Sequence, residues 1–338
     1  MPANRQILLD NRPSGPASES NFKLVTVETP VLGQGQVLVR NLYLSLDPYT
    51  RGRMNDAKSY ALPQALGQVM VGATAGEVVE SRSAYYQVGD TVVGRGGWQE
   101  YCVMDSNAQH GLRKVDTSAI ALSQYLGAVG MPGITAWLGL MKICEIRTGE
   151  TVVVSAASGA VGSAVAALAR ARGCRVVGIA GGPDKCRYAM QELGFDACID
   201  YKQHQDAASL SRALAQACSQ GIDSYFENVG GMVQNAVLPQ MNMHGRIAVC
   251  GMVAGYDGTP IPMANPQLIL TSRLKLQGFT VSEYTELWPG ALEELSALVI
   301  SGKLRPRESI AQGIATAPRA FLGLLKGHNF GKQLVKLV

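Results

Sequence analysis

Ala156, Gly159 and Gly162 stand at A-x-x-G-x-x-G spacing between the β-branched run Thr151-Val-Val-Val-Ser155 and the alanine-rich segment Ala164 to Arg172. A buried strand, a turn of small residues and a helix, in that order, form an anion cradle. The first N–H groups of a helix lack partners within it, and its aligned peptide dipoles place partial positive charge there. Gly159 lets the backbone approach a phosphate, Ala160 and Val161 lead into the helix, and Gly162 lets that helix lie close to the strand. Ala156 occupies the place where the commoner dinucleotide fingerprint has glycine. Such a pattern alone is weak, and a structural tight turn is the alternative. What raises it is the strand before it, the helix after it and a further strand, Arg175 to Ala180, beyond.

An NAD site usually carries Asp or Glu at the end of that further strand, to bind the adenine ribose hydroxyls. Here the strand ends in Ala180-Gly181-Gly182. Asp184, after Pro183, belongs to a helix first turn, which leaves Lys185 and Arg187 to face a 2′-phosphate or to be solvated helix residues. The missing acid and the two cations together favour NADPH over NADH.

Other chemistry-bearing residues stand apart. The histidines (110, 204, 244 and 328) are isolated, and the seven cysteines (102, 144, 174, 186, 198, 218 and 250) form no C-x-x-C pair. They fit reduced thiols better than disulfides or a zinc site. Neither Tyr188 nor Tyr201 is followed by Lys at Y-x-x-x-K spacing. Tyr49, in the Pro-framed stretch Asp47-Pro48-Tyr49, is either a proton donor or orienter, or a packed loop tyrosine. Arg51 and Arg53 contact either a carboxylate or the surface. The Gly- and Pro-rich loop Gly251 to Pro266, bearing Tyr256 and Met263, borders a cleft or a dimer edge.

The elements that must position these residues fall into two regions, as expected for 338 residues. Up to about residue 125 the chain reads as β, with segments Lys23 to Val27, Gln36 to Ser45, Val69 to Glu80, Thr91 to Gly94 and Glu100 to Met104. From Gly127, apolar strands alternate with helices. Strands are expected near 151–155, 175–180, 197–200, 222–226, 246–250 and 275–281, and helices near 160–172, 184–193, 206–219 and 231–241, in the rhythm of a parallel sheet covered on both faces. A helix from Glu286 to Ser301, the polar stretch Gly302 to Glu308, a helix start near Pro318 and a final strand from Gly331 close the chain. The expected division is 127–306 as one domain, with 1–126 and 307–338 as the other. The charge of +4 is small and scattered, which speaks against nucleic-acid binding. The N-terminus has no apolar h-region and no window is apolar enough to span a bilayer, so a cytoplasmic location is the default expectation.

Six separated motifs carry a family resemblance: Leu46-Asp-Pro-Tyr-Thr-Arg-Gly-Arg-Met54, Gly130-Met-Pro-Gly-Ile-Thr-Ala136, Ala156 to Ser163, Tyr225-Phe-Glu-Asn-Val-Gly-Gly231, Gln277-Gly-Phe279 and Asn329-Phe-Gly-Lys332. Over nearly its whole length the chain resembles the zinc-independent medium-chain dehydrogenase/reductases, in the branch of leukotriene B4 12-hydroxydehydrogenase/prostaglandin reductase, alkenal double-bond reductases and bacterial curcumin-reductase-like enzymes. The resemblance implies an α/β protein, a GroES-like β-domain with a Rossmann doubly wound parallel-sheet domain inserted before its last segment, and a homodimer. It implies that Gly159, Ala160, Val161 and Gly162 hold the pyrophosphate, that Lys185 meets the 2′-phosphate, and that Tyr201 lines the adenosine-phosphate side. Asn228, the stretch Cys250-Gly251-Met252 to Tyr256, and Phe279-Thr280-Val281 resemble the lining of the nicotinamide half, with Met131, Thr135 and Asn329 near the nicotinamide itself. In zinc-dependent relatives a histidine stands where this chain has Gln68, and an amide is a poor zinc ligand. Thr271 replaces a tyrosine common in the animal and plant enzymes, which removes a phenol from that place.

Without metal or a strong acid–base pair, an isolated ketone is a hard acceptor and a conjugated enone an easier one. Hydride delivered to the β-carbon puts charge on an enolate oxygen that hydrogen-bond donors can meet. The protein then mainly holds that carbon within about 3–3.5 Å of the donor in a dry site. The expected activity is NADPH-dependent reduction of the C=C bond of α,β-unsaturated aldehydes or ketones, a small-molecule conjugated carbonyl, with Tyr49, Arg51, Tyr256 and Met263 as candidate contacts. An NADPH:quinone oxidoreductase and a non-catalytic NADPH-binding sensor are the alternatives.

Overall fold

The computed structural model describes residues 3–107 and 111–337; His110 lies outside them. In chain order come β1 (Ala3–Leu9), β2 (Phe22–Glu28), β3 (Gln36–Ser45), α1 (Tyr49–Arg53), β4 (Thr74–Ser81), β5 (Thr91–Gly94), β6 (Tyr101–Asp105) and β7 (Arg113–Lys114). Helix α2 (Met131–Leu138) precedes β8 (Thr151–Ser155), α3 (Ala160–Ala171), β9 (Arg175–Ala180), α4 (Pro183–Gln191), β10 (Ala197–Asp200), α5 (Ala207–Ala217) and β11 (Ile222–Glu227). Then follow α6 (Gly231–Val237), β12 (Met241–Val249), α7 (Gln267–Thr271), β13 (Lys275–Gly278) and α8 (Trp288–Ile300). The chain closes with β14 (Glu308–Gln312), α9 (Ala317–Leu325) and β15 (Lys332–Lys336).

Residues to Leu126, with the segment from Glu308 onward, form one unit, and Gly127–Arg307 forms the other. The boundary differs from the sequence expectation by one residue. Arg307 belongs with the second unit because its N–H donates to the Tyr188 hydroxyl at 2.8 Å, its guanidinium lies 4.7 Å from that ring, and it pairs with Glu192.

The second unit is built on a parallel sheet of order β10-β9-β8-β11-β12-β13. Strand order reverses between β8 and β11, and in such sheets ligands bind outside the carboxyl ends of the strands at that point. Every residue of β8 is buried, which is why its valine run is continuous rather than alternating. Val153, Val177, Ile179 and Tyr225 pack beneath Leu210, Leu214, Val233 and Val237 of α5 and α6. The Asp206 carboxylate starts α5 by accepting the Ser209 N–H at 2.7 Å. Strand β13 ends earlier than expected because Thr280 caps a 3-10 turn over Val281–Glu283. Strand β12 begins earlier, at Met241.

In the first unit the order is β14-β15-β3-β4-β5-β7, with β6 also on β3; β14 and β15 run parallel and the other pairs antiparallel. Strands β1 and β2 form a separate antiparallel pair. Trp98, fully buried, stacks on Phe22 at 5.6 Å and meets Phe321 edge-on at 5.5 Å, which joins both ends of the chain in one core. Strands β1 and β14 were not expected from the sequence, and β4 starts at Thr74 instead of Val69.

Candidate functional site

Candidate site residues stand in both units. In the second, helix α3 starts at Gly159 with extended backbone and no side-chain cap, and its first turn carries no acid. Its leading N–H groups are therefore available to an anion, with Ala160 and Val161 half-buried in the first turn. A Cβ on Gly162 would lie 2.6 Å from the carbonyl oxygens of both Ala156 and Ala157, so only glycine permits this contact between helix and strand. Ala156 has φ of 52°, the left-handed region that the fingerprint glycine normally serves.

The turn after β9 consists of two glycines and so carries no side chain of its own. Gly182, at φ 106°, donates its N–H to Asp200 Oδ1 at 2.7 Å. A Cβ on Gly181 would lie 2.9 Å from the Tyr201 ring and 3.1 Å from Lys202 Cε, so both side chains lie over this glycine. Lys185 is half-buried, and burial, then the charge of Lys202, hold its ammonium below the usual lysine range. An anion there would relieve both effects. The sequence had offered Arg187 as the second cation. It is instead exposed and bonded to Asp184 at 2.9 Å, and Lys202 takes the place beside Lys185. The residues present fit a dinucleotide carrying a 2′-phosphate.

Beyond the reversal of strand order, the Asn228 side chain donates to the Ser155 carbonyl at 2.8 Å and its N–H to Ser155 Oγ at 2.8 Å. The N–H groups of Cys250 and Gly251 both reach the Glu227 carbonyl, at 2.9 and 3.1 Å. Burial pushes the Cys250 thiol up to about 12, so it stays a neutral wall residue. Tyr256 lies near Gly251, its hydroxyl 3.1 Å from where a Cβ would be. Met252 precedes a 3-10 turn in which the Val253 N–H meets the Asn228 carbonyl at 3.3 Å. Phe279 packs edge-on against Phe226 at 6.3 Å, and the Val281 carbonyl accepts the Trp288 indole N–H at 3.0 Å. Met131 opens α2, and its carbonyl takes the Thr135 hydroxyl at 2.8 Å. The loop bearing Met263 is fastened rather than loose: Met263 packs on the core, and Asn235 bonds the Pro262 carbonyl and the Ala264 N–H at 3.1 and 3.0 Å.

In the first unit Tyr49 is half-buried at the start of α1. Burial, then the Asp47 charge, push its hydroxyl up to about 12, so it is a neutral O–H donor. Asp47 is itself held by the buried Lys332, whose ammonium donates to Asp47 Oδ1 at 2.7 Å and to the Leu46 carbonyl at 2.9 Å; Ser45 Oγ donates to the other carboxylate oxygen. The Asn329 side chain turns back to the Gly331 carbonyl at 2.7 Å. Arg51 is only 2% exposed and donates to Asn55 at 2.7 Å and the Gly15 carbonyl at 2.6 Å. Its charge is committed inside this unit, which corrects the expectation that it contacts substrate.

The family described as "N-terminal domain of oxidoreductase" matches residues 5–115, and that described as "Zinc-binding dehydrogenase" matches 160–297. The chain is 45% identical to the NADPH-dependent curcumin reductase of Escherichia coli (strain K12), covering 99% of this chain and 97% of that protein. It is 41% identical to the 2-alkenal reductase (NADP(+)-dependent) of Nicotiana tabacum, over 98% and 97%. The chain belongs to the zinc-independent medium-chain dehydrogenase/reductases. Among solved structures, CurA from Vibrio vulnificus in complex with NADPH superimposes with a TM-score of 0.91 at 42% identity, covering 99% of each chain. In this medium-chain dehydrogenase/reductase Gln68 is exposed, and among the described residues no group of three His, Cys, Asp or Glu is placed to hold a metal ion. Sequence reasoning missed Lys202, Lys332 and Glu227. Lys202 directly follows Tyr201, and Glu227 and Lys332 lie inside quoted motifs, but nothing local pairs either with Ser155 or Asp47.

Proposed function

We propose that this protein reduces the C=C bond of α,β-unsaturated aldehydes or ketones with NADPH, delivering hydride to the β-carbon without a metal. The observation that carries the reading is the uncapped α3 N-terminus over Gly162, with Lys185 and Lys202 gathered beside the bare Gly181-Gly182 turn. Bound NADPH would supply the hydride. The α3 N–H groups would hold its pyrophosphate, Lys185, Tyr201 and Lys202 its 2′-phosphate end, and Asn228, Cys250, Gly251, Met252, Tyr256, Phe279, Thr280, Val281, Met131, Thr135 and Asn329 its nicotinamide half. The Tyr49 hydroxyl would meet the carbonyl oxygen where charge develops; held neutral, it donates without first gaining a proton. The NADPH-dependent names of the curcumin and alkenal reductases, and the NADPH in the Vibrio vulnificus structure, support the cofactor. A homodimer, with β13 offering an outer sheet edge, and a cytoplasmic location complete the reading.

The test follows NADPH loss with an enone and, separately, with a quinone, and identifies products by mass. A saturated carbonyl product supports the assignment. Turnover of the quinone alone replaces it with an NADPH:quinone oxidoreductase, and tight NADPH binding with no turnover of either replaces it with a nucleotide-binding sensor.

A further inference from the structure

A buried polar cluster lies directly beneath the proposed nicotinamide half. Glu227, the last residue of β11, is 0% exposed and so touches neither solvent nor ligand. One carboxylate oxygen accepts the Ser155 hydroxyl at 2.9 Å and the Val229 N–H at 2.7 Å, while the other has no hydrogen-bond partner. Tyr225, two residues earlier and also fully buried, is electrostatically coupled to this carboxyl yet makes no aligned hydrogen bond. A carboxyl in such a place costs several kcal/mol to bury, and here the bonds from Ser155 and Val229 offset part of that cost. Burial raises the Glu227 pKa, against the pull of the turn N–H groups, Ser155 and Tyr225.

What it organises are three strand ends. Ser155 ends β8, and its hydroxyl both donates to Glu227 and accepts the Asn228 N–H; its carbonyl takes the Asn228 amide. The carboxyl fixes the turn after β11 through Val229, and the Glu227 carbonyl fixes the end of β12 through Cys250 and Gly251. We propose, resting on the NADPH reading above, that the Glu227 carboxyl is a positioning group for the nicotinamide half of the cofactor site, acting through Ser155 and the Val229 N–H to hold Asn228 and the turn after β11 in register. It acts at one end of the dinucleotide, because the bonds of its carboxyl run to Ser155 and Val229, at the ends of β8 and β11 beside Asn228.

The test uses the full chain and two ligands: NADPH, and 2′,5′-ADP, which carries the adenosine and 2′-phosphate but no nicotinamide. Their dissociation constants are measured by titration calorimetry for the native protein and for Glu227→Gln, Glu227→Ala and Ser155→Ala. Glu227→Ala and Ser155→Ala should each weaken NADPH roughly tenfold or more, the loss expected when a buried acceptor or its relay is removed, with 2′,5′-ADP unchanged within about twofold. Glu227→Gln keeps an acceptor for Ser155 and Val229 and should stay within about threefold of native. Parallel losses for both ligands, or NADPH binding within about threefold in both truncation variants, overturn the proposal. If Glu227→Ala does not fold, Ser155→Ala decides by the same two affinities. A native protein that binds neither ligand refutes the NADPH reading itself, whereas native binding with unaffected variants refutes only the role of Glu227.

Discussion

Replacing Lys332 by Met would test how the Tyr49 corner is held. Lys332 is 3% exposed and Asp47 7%, so neither charge has water to fall back on. The ammonium makes two bonds, 2.7 Å to Asp47 and 2.9 Å to the Leu46 carbonyl, and its removal leaves Asp47 with the Ser45 hydroxyl as its side-chain donor in a buried place. Breaking one side of such a pair costs about 3–5 kcal/mol. At roughly 2–4 °C per kcal/mol for a chain of this size, the melting temperature should fall by about 6–20 °C. Scanning calorimetry gives the number, and Trp98 fluorescence, read in a background with Trp137 and Trp288 replaced by Phe, reports the core that also holds Leu44 and Leu46 and assigns the loss to this unit. The double variant Asp47→Asn/Lys332→Met carries no uncompensated charge and should recover about half of the loss or more. A single variant melting within about 2 °C of native, or a double variant no better than the single, would refute the reasoning.

Lys185→Ala and Lys202→Ala should each weaken NADPH at least about tenfold while leaving NADH nearly unchanged, since only the phosphorylated cofactor makes the charge-assisted contact; equal losses for both cofactors count against it. Gly162→Ala drives a methyl onto two backbone carbonyls 2.6 Å away and should abolish measurable NADPH binding in calorimetry. Ala156→Gly removes a Cβ from a backbone at φ 52°; relief of about 1–2 kcal/mol less the glycine entropy cost of about 0.5–1 kcal/mol leaves stability equal or raised by up to about 1.5 kcal/mol in denaturant titration. Tyr49→Phe should lower kcat roughly ten- to a hundredfold without adding or removing a step in the pH–rate profile below about pH 10. Because the fold raises the Tyr49 pKa to about 12, its neutral hydroxyl contributes stability that is whole below about pH 10 and lost as pH climbs towards 12, and the variant should lose that alkaline dependence.

The nucleotide sheet was readable because β8 and β9 are apolar on both faces and their signal is local. The phosphate turn was readable for the same reason, as strand, glycines and helix follow within a few residues. Strand β14, Glu-Ser-Ile-Ala-Gln, is half-polar and lies at a sheet edge, so only its pairing with β15 reveals it. Asp47 and Lys332 lie 285 residues apart, and Ser155 and Glu227 lie 72 apart; no periodicity links either pair. For Arg187 the sequence left a phosphate contact and a solvated helix charge open, and the i,i+3 spacing from Asp184 on α4 pairs it at the surface.

The unit bearing Tyr49 is assembled from both ends of the chain, and β15 lies between β14 and β3. A ribosome therefore completes the continuous segment 127–307 while the β-rich unit still lacks β14 and β15. Folding during synthesis is expected to proceed from the middle outward, with the N-terminal portion kept waiting, its sheet open at β3, until the last residues emerge. A premature stop just before Lys332 would remove β15 and the cation that neutralises Asp47 together, leaving a nascent chain with a finished nucleotide domain and an exposed, aggregation-prone edge for chaperones to recognise.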